Sequence, residues 1–298
     1  MIRRLALSAL LLGVVAVWGW TFVVVKDAVA LYGVAPFLAV RFLIGAACIA
    51  PFCAHRLNLR TLRCGGLIGL AVGSAFLLQT LGLERSTATN TGLVTGLFVV
   101  AAPVANRLLF GVCTRWVLWA AIGVSLVGLG MLTGGAPQGV AAGDYITVGG
   151  AVLFGLHVAL LDRYSKHHHA TVLAFGQLLG AAMLLGGFWL LLAAVGPSAA
   201  RFEWPSPPVW RALLITAVLA TAVAFFVQTF VQKRLSAVET AMIIVLEPIF
   251  AAAFGYLLHG DRLTAVQLLG AVLMVAAVVV AEVYPLLRKN SLRRAPHG

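Results

Sequence analysis

The chain reads as an all-α membrane protein, with ten transmembrane helices arranged as two inverted five-helix repeats. Three observations lead there. Of its 298 residues, 62% are hydrophobic and 10% charged, and the mean hydropathy is +1.03; a soluble domain carries about 25% charged residues. The apolar residues fall into ten runs, each long enough for a bilayer core that takes about 20 residues per helix. The chain also matches itself at an offset of 149 positions, half its length.

The predicted spans run over 5–27, 35–54, 64–83, 87–110, 115–133, 144–162, 170–195, 210–232, 238–258 and 264–285. The first has the look of a secretion signal, Arg3-Arg4 followed by apolar Leu5 to Val17. No small-x-small cleavage site follows, and Trp18-Gly19-Trp20 carries the run on to Val25, so it is read as a retained helix. The third and fourth spans carry one copy of the internal repeat, the eighth and ninth the other. In the 33 positions from Gln79 to Gly111, ten residues recur 149 positions on: Gln79-Thr80 as Gln228-Thr229, Arg85 as Arg234, Ala88 as Ala237, Thr91 as Thr240, Leu97 as Leu246, Ala102 as Ala251, Leu108-Leu109 as Leu257-Leu258, and Gly111 as Gly260. Gly65, Gly69 and Gly73, and likewise Gly176 and Gly180, are spaced by four, which lets helix backbones approach closely. Connections are short. The longest, Gly196 to Val209, carries Pro197, Pro205, Pro207 and Pro208 and is expected as an external loop. The predicted units are a first repeat at 5–133, a second at 144–285 and a basic cytoplasmic tail at 286–298.

The net charge of +12 is explained by sidedness and not by nucleic acid, which is excluded as a partner. With ten spans both termini share one side. That side receives fifteen Lys and Arg residues, from Arg3-Arg4 through Arg56, Lys166 and Lys233 to Arg294. The other receives four, Arg85, Arg201, Arg211 and Arg262, with Lys26 at its boundary. Short cytoplasmic loops collect positive charge, so both termini are expected in the cytoplasm and the protein in the cytoplasmic membrane. A five-helix unit copied once must invert, and inverted repeats are a recurrent basis for alternating access. Cys48, Cys53, Cys64 and Cys113 form no CxxC and are read as small packing residues, without disulfide or metal. His167 to His169 is a basic loop. Lys26-Asp27 is expected to form a local ion pair.

Polar groups inside a span need a reason. Glu247 lies about nine residues into the ninth span, near the midplane by the helical rise. Pro248 follows and predicts a kink there. Such a carboxyl either binds a cationic group or a proton, or serves as interhelical glue. Arg41, in the second span, either snorkels outward or faces inward toward a substrate carboxylate or Glu247. Gln79 and Gln228 are repeat equivalents, poised either for a cavity or for a hydrogen bond to one another. Trp18 and Trp20 lie too deep for the interfacial belt. His157 stands in the sixth span where the counterpart of Trp20 is expected, and Phe98 is the repeat partner of Glu247. With Thr95 these make nine candidate substrate-binding residues. Thr91, Thr221 and Gln177 are further polar positions, and such hydroxyls often bond their own helix. No GxSxG, HExxH, phosphate loop or acidic cluster supports an enzyme, and no cofactor is implied.

The order and spacing of several segments resemble the drug/metabolite transporter superfamily, in its EamA-type ten-helix members. The segments are Trp18 to Asp27, Arg41-Phe42, Leu78 to Leu83, Thr95-Gly96-Leu97 followed by Pro103, Leu246 to Phe250, Gly255, and the Gly260-Asp261-Arg262-Leu263 turn. The resemblance implies two tandem EamA repeats, a central cavity with the fifth and tenth helices peripheral, and export of a small metabolite such as an amino acid. Two departures stand on the sixth span. Phe154-Gly155 replaces a frequent aromatic-Trp pair, and His157 replaces a frequent tyrosine.

The expected function is therefore secondary transport, most simply export of a small amphipathic metabolite by alternating access. The bilayer and the solute are its partners, the proton is a candidate coupling ion through Glu247 or His157, and the protein acts as a monomer or homodimer. The alternative is a non-transporting sensor or assembly partner on the same bundle.

Overall fold

The computed structural model describes residues 2–134, 140–195, 203–259 and 262–294. Its elements are helices: α1 (Ile2–Tyr32), α2 (Val34–Ile49) continued by a 3-10 stretch (Ala50–Arg56), α3 (Leu59–Glu84), α4 (Ala88–Thr95), α5 (Phe98–Phe110), α6 (Trp116–Thr133), α7 (Ala142–Ser165), α8 (Ala170–Val195), α9 (Pro207–Ala217), a π-helical segment (Val218–Val223), α10 (Ala224–Gln232), α11 (Ala237–Ile244), α12 (Glu247–His259) and α13 (Ala265–Arg294). Among the described residues, ten segments are long and apolar enough to cross a membrane, as the sequence predicts.

Two spans are broken at matched places. The fourth divides into α4 and α5 around Gly96 and Leu97, the ninth into α11 and α12 around Val245 and Leu246. These positions are 149 apart. The sequence signals only the second, through Pro248. That proline is the second residue of α12, a position where its missing N–H costs nothing; the first break has no such proline, since Pro103 lies inside α5. The starts of α4 and α11 match as well. The Thr87 side chain accepts from the Asn90 N–H, and the Ser236 side chain from the Glu239 N–H. Both are N-caps that satisfy a free donor of the first turn.

Small residues set the close crossings. A Cβ on Gly65 would lie 2.7 Å from the Leu173 carbonyl oxygen, and one on Gly73 2.9 Å from Ala181 Cα, so the glycine stripe of α3 is the seam with α8. Gly19 holds α1 against α12 in the same way, with Ala251 N and the Glu247 carbonyl oxygen each 2.8 Å from a hypothetical Cβ. The principal neighbours of α3 are α7 and α8; α6 packs on α13, and α1 crosses both halves of the ninth span and all three pieces of the eighth. One buried cluster is centred on α1, α5, α11 and α13, another on α2, α8 and α9.

The ends of the bundle are distinguishable. Arg4 contacts Glu239 and lies 4.0 Å from Glu282, bringing the starts of α1 and α11 together with the end of the apolar part of α13. At the opposite end Ser86, just after α3, donates to Asp144 at the start of α7 at 2.5 Å.

One expectation differs from what is observed. Lys26 and Asp27 are exposed and form no ion pair with each other within 4.0 Å; adjacent residues on a helix point to different faces. Beyond 286 the helical backbone of α13 continues to Arg294. The loop predicted over 196–209 and the turn at 260–261 lie largely outside the described residues.

Candidate functional site

The two helix breaks meet one cavity. It is lined by residues of α1, α2, α3, α7, α10 and both broken spans, including Trp18, Arg41, Gln79, Thr95, Phe98, His157, Gln228 and Glu247. Eight of the nine candidates thus share one space. Trp20 is outside it. Residues advance about 100° per position on a helix, so Trp20 is turned roughly 200° from Trp18. The remaining wall is aromatic and aliphatic: Phe76, Phe154, Phe225, Val25, Val72, Leu83, Val158 and Ile244, with Thr21 and Thr80. The cavity volume is about 80 Å³. Each water needs on the order of 10–15 Å³ on this measure, so there is room for about six, the heavy-atom count of a small amino acid.

Arg41 is 3% exposed and faces inward. Its Nε donates to Thr221 Oγ1 at 2.8 Å and its Nη2 to the Ala220 carbonyl at 3.4 Å. The guanidinium lies over the Phe76 ring at 5.2 Å and the Phe42 ring at 5.8 Å. A π turn holds one residue more than an α turn and disturbs the regular ladder. Here it presents the Ala220 carbonyl to two side chains at once, Arg41 and Trp18 Nε1, the latter at 2.8 Å. Snorkelling is thereby excluded, and the cation is held by neutral oxygens and ring faces.

Glu247 is the first residue of α12, where the helix dipole favours an anion. Among the described residues its side chain makes no hydrogen bond and no ion pair within 4.0 Å. It interacts electrostatically with Arg41 across the cavity. Opposite charges therefore face a common space without touching. A polar or zwitterionic occupant would offset the cost of a carboxylate and a guanidinium held away from water.

The other polar groups fall into chains. Gln79 Nε2 donates to Thr95 Oγ1 at 3.1 Å, and Gln228 Nε2 to Gln232 Oε1 at 3.2 Å. The two glutamines do not bond each other, and Gln228 Oε1 is buried without a partner. His157 Nε2 pairs with Gln177 Oε1 at 2.8 Å, and Gln177 Nε2 donates to Thr229 Oγ1 at 3.0 Å. Phe76 stacks edge-on against Phe42 and Phe154 with centroids 5.3 and 5.1 Å apart. This aromatic wall was not legible in the sequence, where sixteen phenylalanines are spread through apolar runs. No group of three or more metal-ligating side chains occurs among the described residues.

The lining reaches Val25 and Leu83, next to Lys26 and Glu84 at the Asp144 end. The Arg4 end is tied by polar contacts. Besides Arg4 and Glu239, Lys233 Nζ donates to the His168 carbonyl at 2.8 Å, Thr61 Oγ1 meets His168 Nδ1 at 2.8 Å, and Lys166 pairs with Asp162 at 2.7 Å.

A helical bundle of ten membrane-crossing segments around a polar cavity at helix breaks has the build of a multi-pass membrane transporter. The chain belongs to the EamA-like transporter family, whose sequence model matches residues 6–134 and 141–282. It is 32% identical over 283 residues to an uncharacterized transporter of Archaeoglobus fulgidus, covering 94% of this chain and 87% of that one. It is 25% identical over 287 residues to the uncharacterized inner membrane transporter YedA of Escherichia coli, covering 93% and 91%. The uncharacterized transporter YoaV of Bacillus subtilis is 25% identical over 283 residues, covering 90% and 94%. A solved crystal structure superposes with a TM-score of 0.75 at 20% identity, over 93% of this chain and 97% of that one, which shows the shared fold.

Proposed function

We propose that this transporter exports a small zwitterionic metabolite of the amino-acid kind by alternating access. The observation that carries the reading is the pair Arg41 and Glu247, two opposite charges that line one cavity and are not bonded to each other. A solute carboxylate would sit at Arg41 and its ammonium at Glu247. Its side chain would lie against Trp18, Phe76, Phe98 and Phe225, with Gln79, Thr95, His157 and Gln228 as hydrogen-bonding neighbours. Arg41, already oriented by Thr221 and Ala220, keeps donors of its fork free for a carboxylate.

The halves act as inverted units. Support comes from the chain's own contacts: α1 begins at the Arg4 end, whereas α7 begins at the opposite end beside Ser86. In the form described, the polar ties close the Arg4 end while the cavity lining runs toward the other. With the termini in the cytoplasm, as the charge bias favours, this is the outward-facing form. Transport then alternates between this form and one in which the Arg4 end parts.

The test is counterflow of labelled amino acids in proteoliposomes. Zwitterionic substrates are expected to exchange, with loss of at least ten-fold in Glu247→Gln and in Arg41→Gln. Exchange that survives both changes would reject the site. An uncharged solute moved equally well by the native chain and both variants would reject the substrate class and leave the transporter intact.

A further inference from the structure

At the Arg4 end, two carboxyls share one guanidinium. Arg4 contacts Glu239, and its Nε lies 4.0 Å from Glu282 Oε2. Glu239 is 5% exposed and Glu282 9%. With both ionised, the trio carries one uncompensated negative charge inside the bundle. A buried group in that position neutralises instead of staying charged.

The hydrogen bonds say which carboxyl is the neutral one. Glu239 stands at the third position of α11 and closes a capping box. Its Oε2 accepts from the Ser236 N–H at 2.8 Å and from Ser236 Oγ at 3.0 Å, while its Oε1 faces Arg4. Two hydrogen-bond donors and the adjacent Arg4 cation favour the carboxylate. Glu282 accepts on Oε2 from Ser8 Oγ at 2.9 Å, and among the described residues its buried Oε1 meets no hydrogen-bond partner. Among the other charged side chains described at this end, Arg107 contacts Cys113, Arg60 and Arg63 form no ion pair with either carboxyl, and the rest have contacts of their own. On α6, Arg115 lies over the Tyr284 ring at 6.0 Å, and Arg234, after α10, over Phe230 at 5.0 Å. Lys233 holds the His168 carbonyl, Lys166 pairs with Asp162, and Arg163 on α7 lies over Phe110 at 5.7 Å.

We propose that Arg4, Glu239 and Glu282 form a proton-binding site that is filled, on Glu282, when the Arg4 end is closed. Opening draws α1 away from α11 and α13 and admits water. Both carboxylates then hydrate, and the proton leaves to the solution at that end. The opposite end has no such device among the described residues. The residue 149 positions before Glu239 is Asn90, an amide. There one buried carboxylate, Asp144, receives Ser86 Oγ at 2.5 Å, the Ala141 N–H at 2.8 Å and Asn90 Nδ2 at 3.1 Å. Proton linkage therefore belongs to one end, and acid on the Arg4 side holds that end shut. This last consequence rests on the alternating-access reading; the proton site does not.

The test uses the full chain in lipid, carrying Glu247→Gln to remove the cavity's own acid, and infrared difference spectra between mildly acidic and mildly alkaline buffer. One protonated-carboxyl band is expected, and it is lost in Glu282→Gln. It is lost in Glu239→Gln as well, since Arg4 then balances Glu282 alone; this variant decides the matter even where Glu282→Gln does not fold. In Arg4→Gln the band roughly doubles, with both carboxyls protonated. A band that persists unchanged in Glu239→Gln overturns the site. A second arm replaces Cys48, Cys53, Cys64 and Cys113 by alanine, adds Ile244→Cys as the single cysteine, and labels it with an impermeant thiol reagent from the Arg4 side. Labelling is expected to fall several-fold on acidification of that side and to become indifferent to it in Glu239→Gln. Labelling that ignores pH while the infrared band behaves as described overturns the alternating-access link and upholds the proton site.

Discussion

Replacing Gly19 by alanine puts one methyl group into the crossing of α1 with α12. The new carbon would meet Ala251 N, the Glu247 carbonyl oxygen and Phe250 Cβ, each at 2.8 Å. Comfortable contacts begin at about 3.5 Å, so the two helices must part by roughly 0.7 Å. Two of the three obstructing atoms are backbone and cannot rotate away. Overpacking of this kind typically costs about 1–3 kcal/mol. Gly13 is the internal control. It lies in the same helix, six residues earlier, and nothing falls within 4 Å of its hypothetical Cβ. Gly13→Ala therefore gains helix propensity, up to about 1 kcal/mol, without a clash. Thermal unfolding of the two variants in one detergent should place Gly19→Ala several degrees below the native chain and Gly13→Ala at or slightly above it. Because the obstructed carbonyl belongs to Glu247, labelled solute exchange should fall in Gly19→Ala alone. Equal melting temperatures for both variants would refute the close-crossing argument.

Further outcomes follow from the same geometry. Arg41→Lys keeps the charge but loses the planar fork that meets Thr221 and Ala220 together; exchange of a zwitterion should drop at least ten-fold, measured as counterflow. Thr221→Val removes the oxygen that accepts from Arg41 Nε and should lower stability by about 1–3 kcal/mol, read from unfolding midpoints. His168, in the loop between α7 and α8, is pushed below the usual imidazole range by burial and by the charges of Arg60, His167 and Lys233. The unfolded chain then binds this proton more readily, so the stability is full above about pH 6.5 and is lost as pH falls below it. The drop in melting temperature on acidification should be smaller in His168→Asn.

The span count was legible because a bilayer imposes length and apolarity on every helix, and the charge bias fixes the sorting. Eight cavity residues were legible for a related reason: in an apolar run, Arg41, Gln79, His157, Gln228 and Glu247 stand out against their neighbours. What stayed hidden lacked such contrast. Phe76 and Phe225 look in sequence like any residue facing lipid. The break at Gly96 and Leu97 has no proline to announce it, and only the alignment of its flank with the ninth span relates the two. Trp20 was drawn in by residue type, whereas its helical phase turns it away. The π segment has no composition of its own; Val218 to Val223 would suit a regular helix equally well. The acids Glu239 and Glu282 sit near the ends of the predicted spans, where charge is ordinary, and their convergence on Arg4 arises only from packing.

The surplus residue in Val218–Val223 makes the eighth span one position out of step with itself. Deleting one residue there would restore a uniform helix and rotate everything beyond it by about 100°. Gln228 would swing off the cavity and a different side chain would take its place, while Ala220 would withdraw its oxygen from Trp18 and Arg41. A one-codon change in length would thus exchange a whole helical face, and relatives that differ by such a step in this segment should prefer different cargo even where every cavity-facing letter elsewhere is shared.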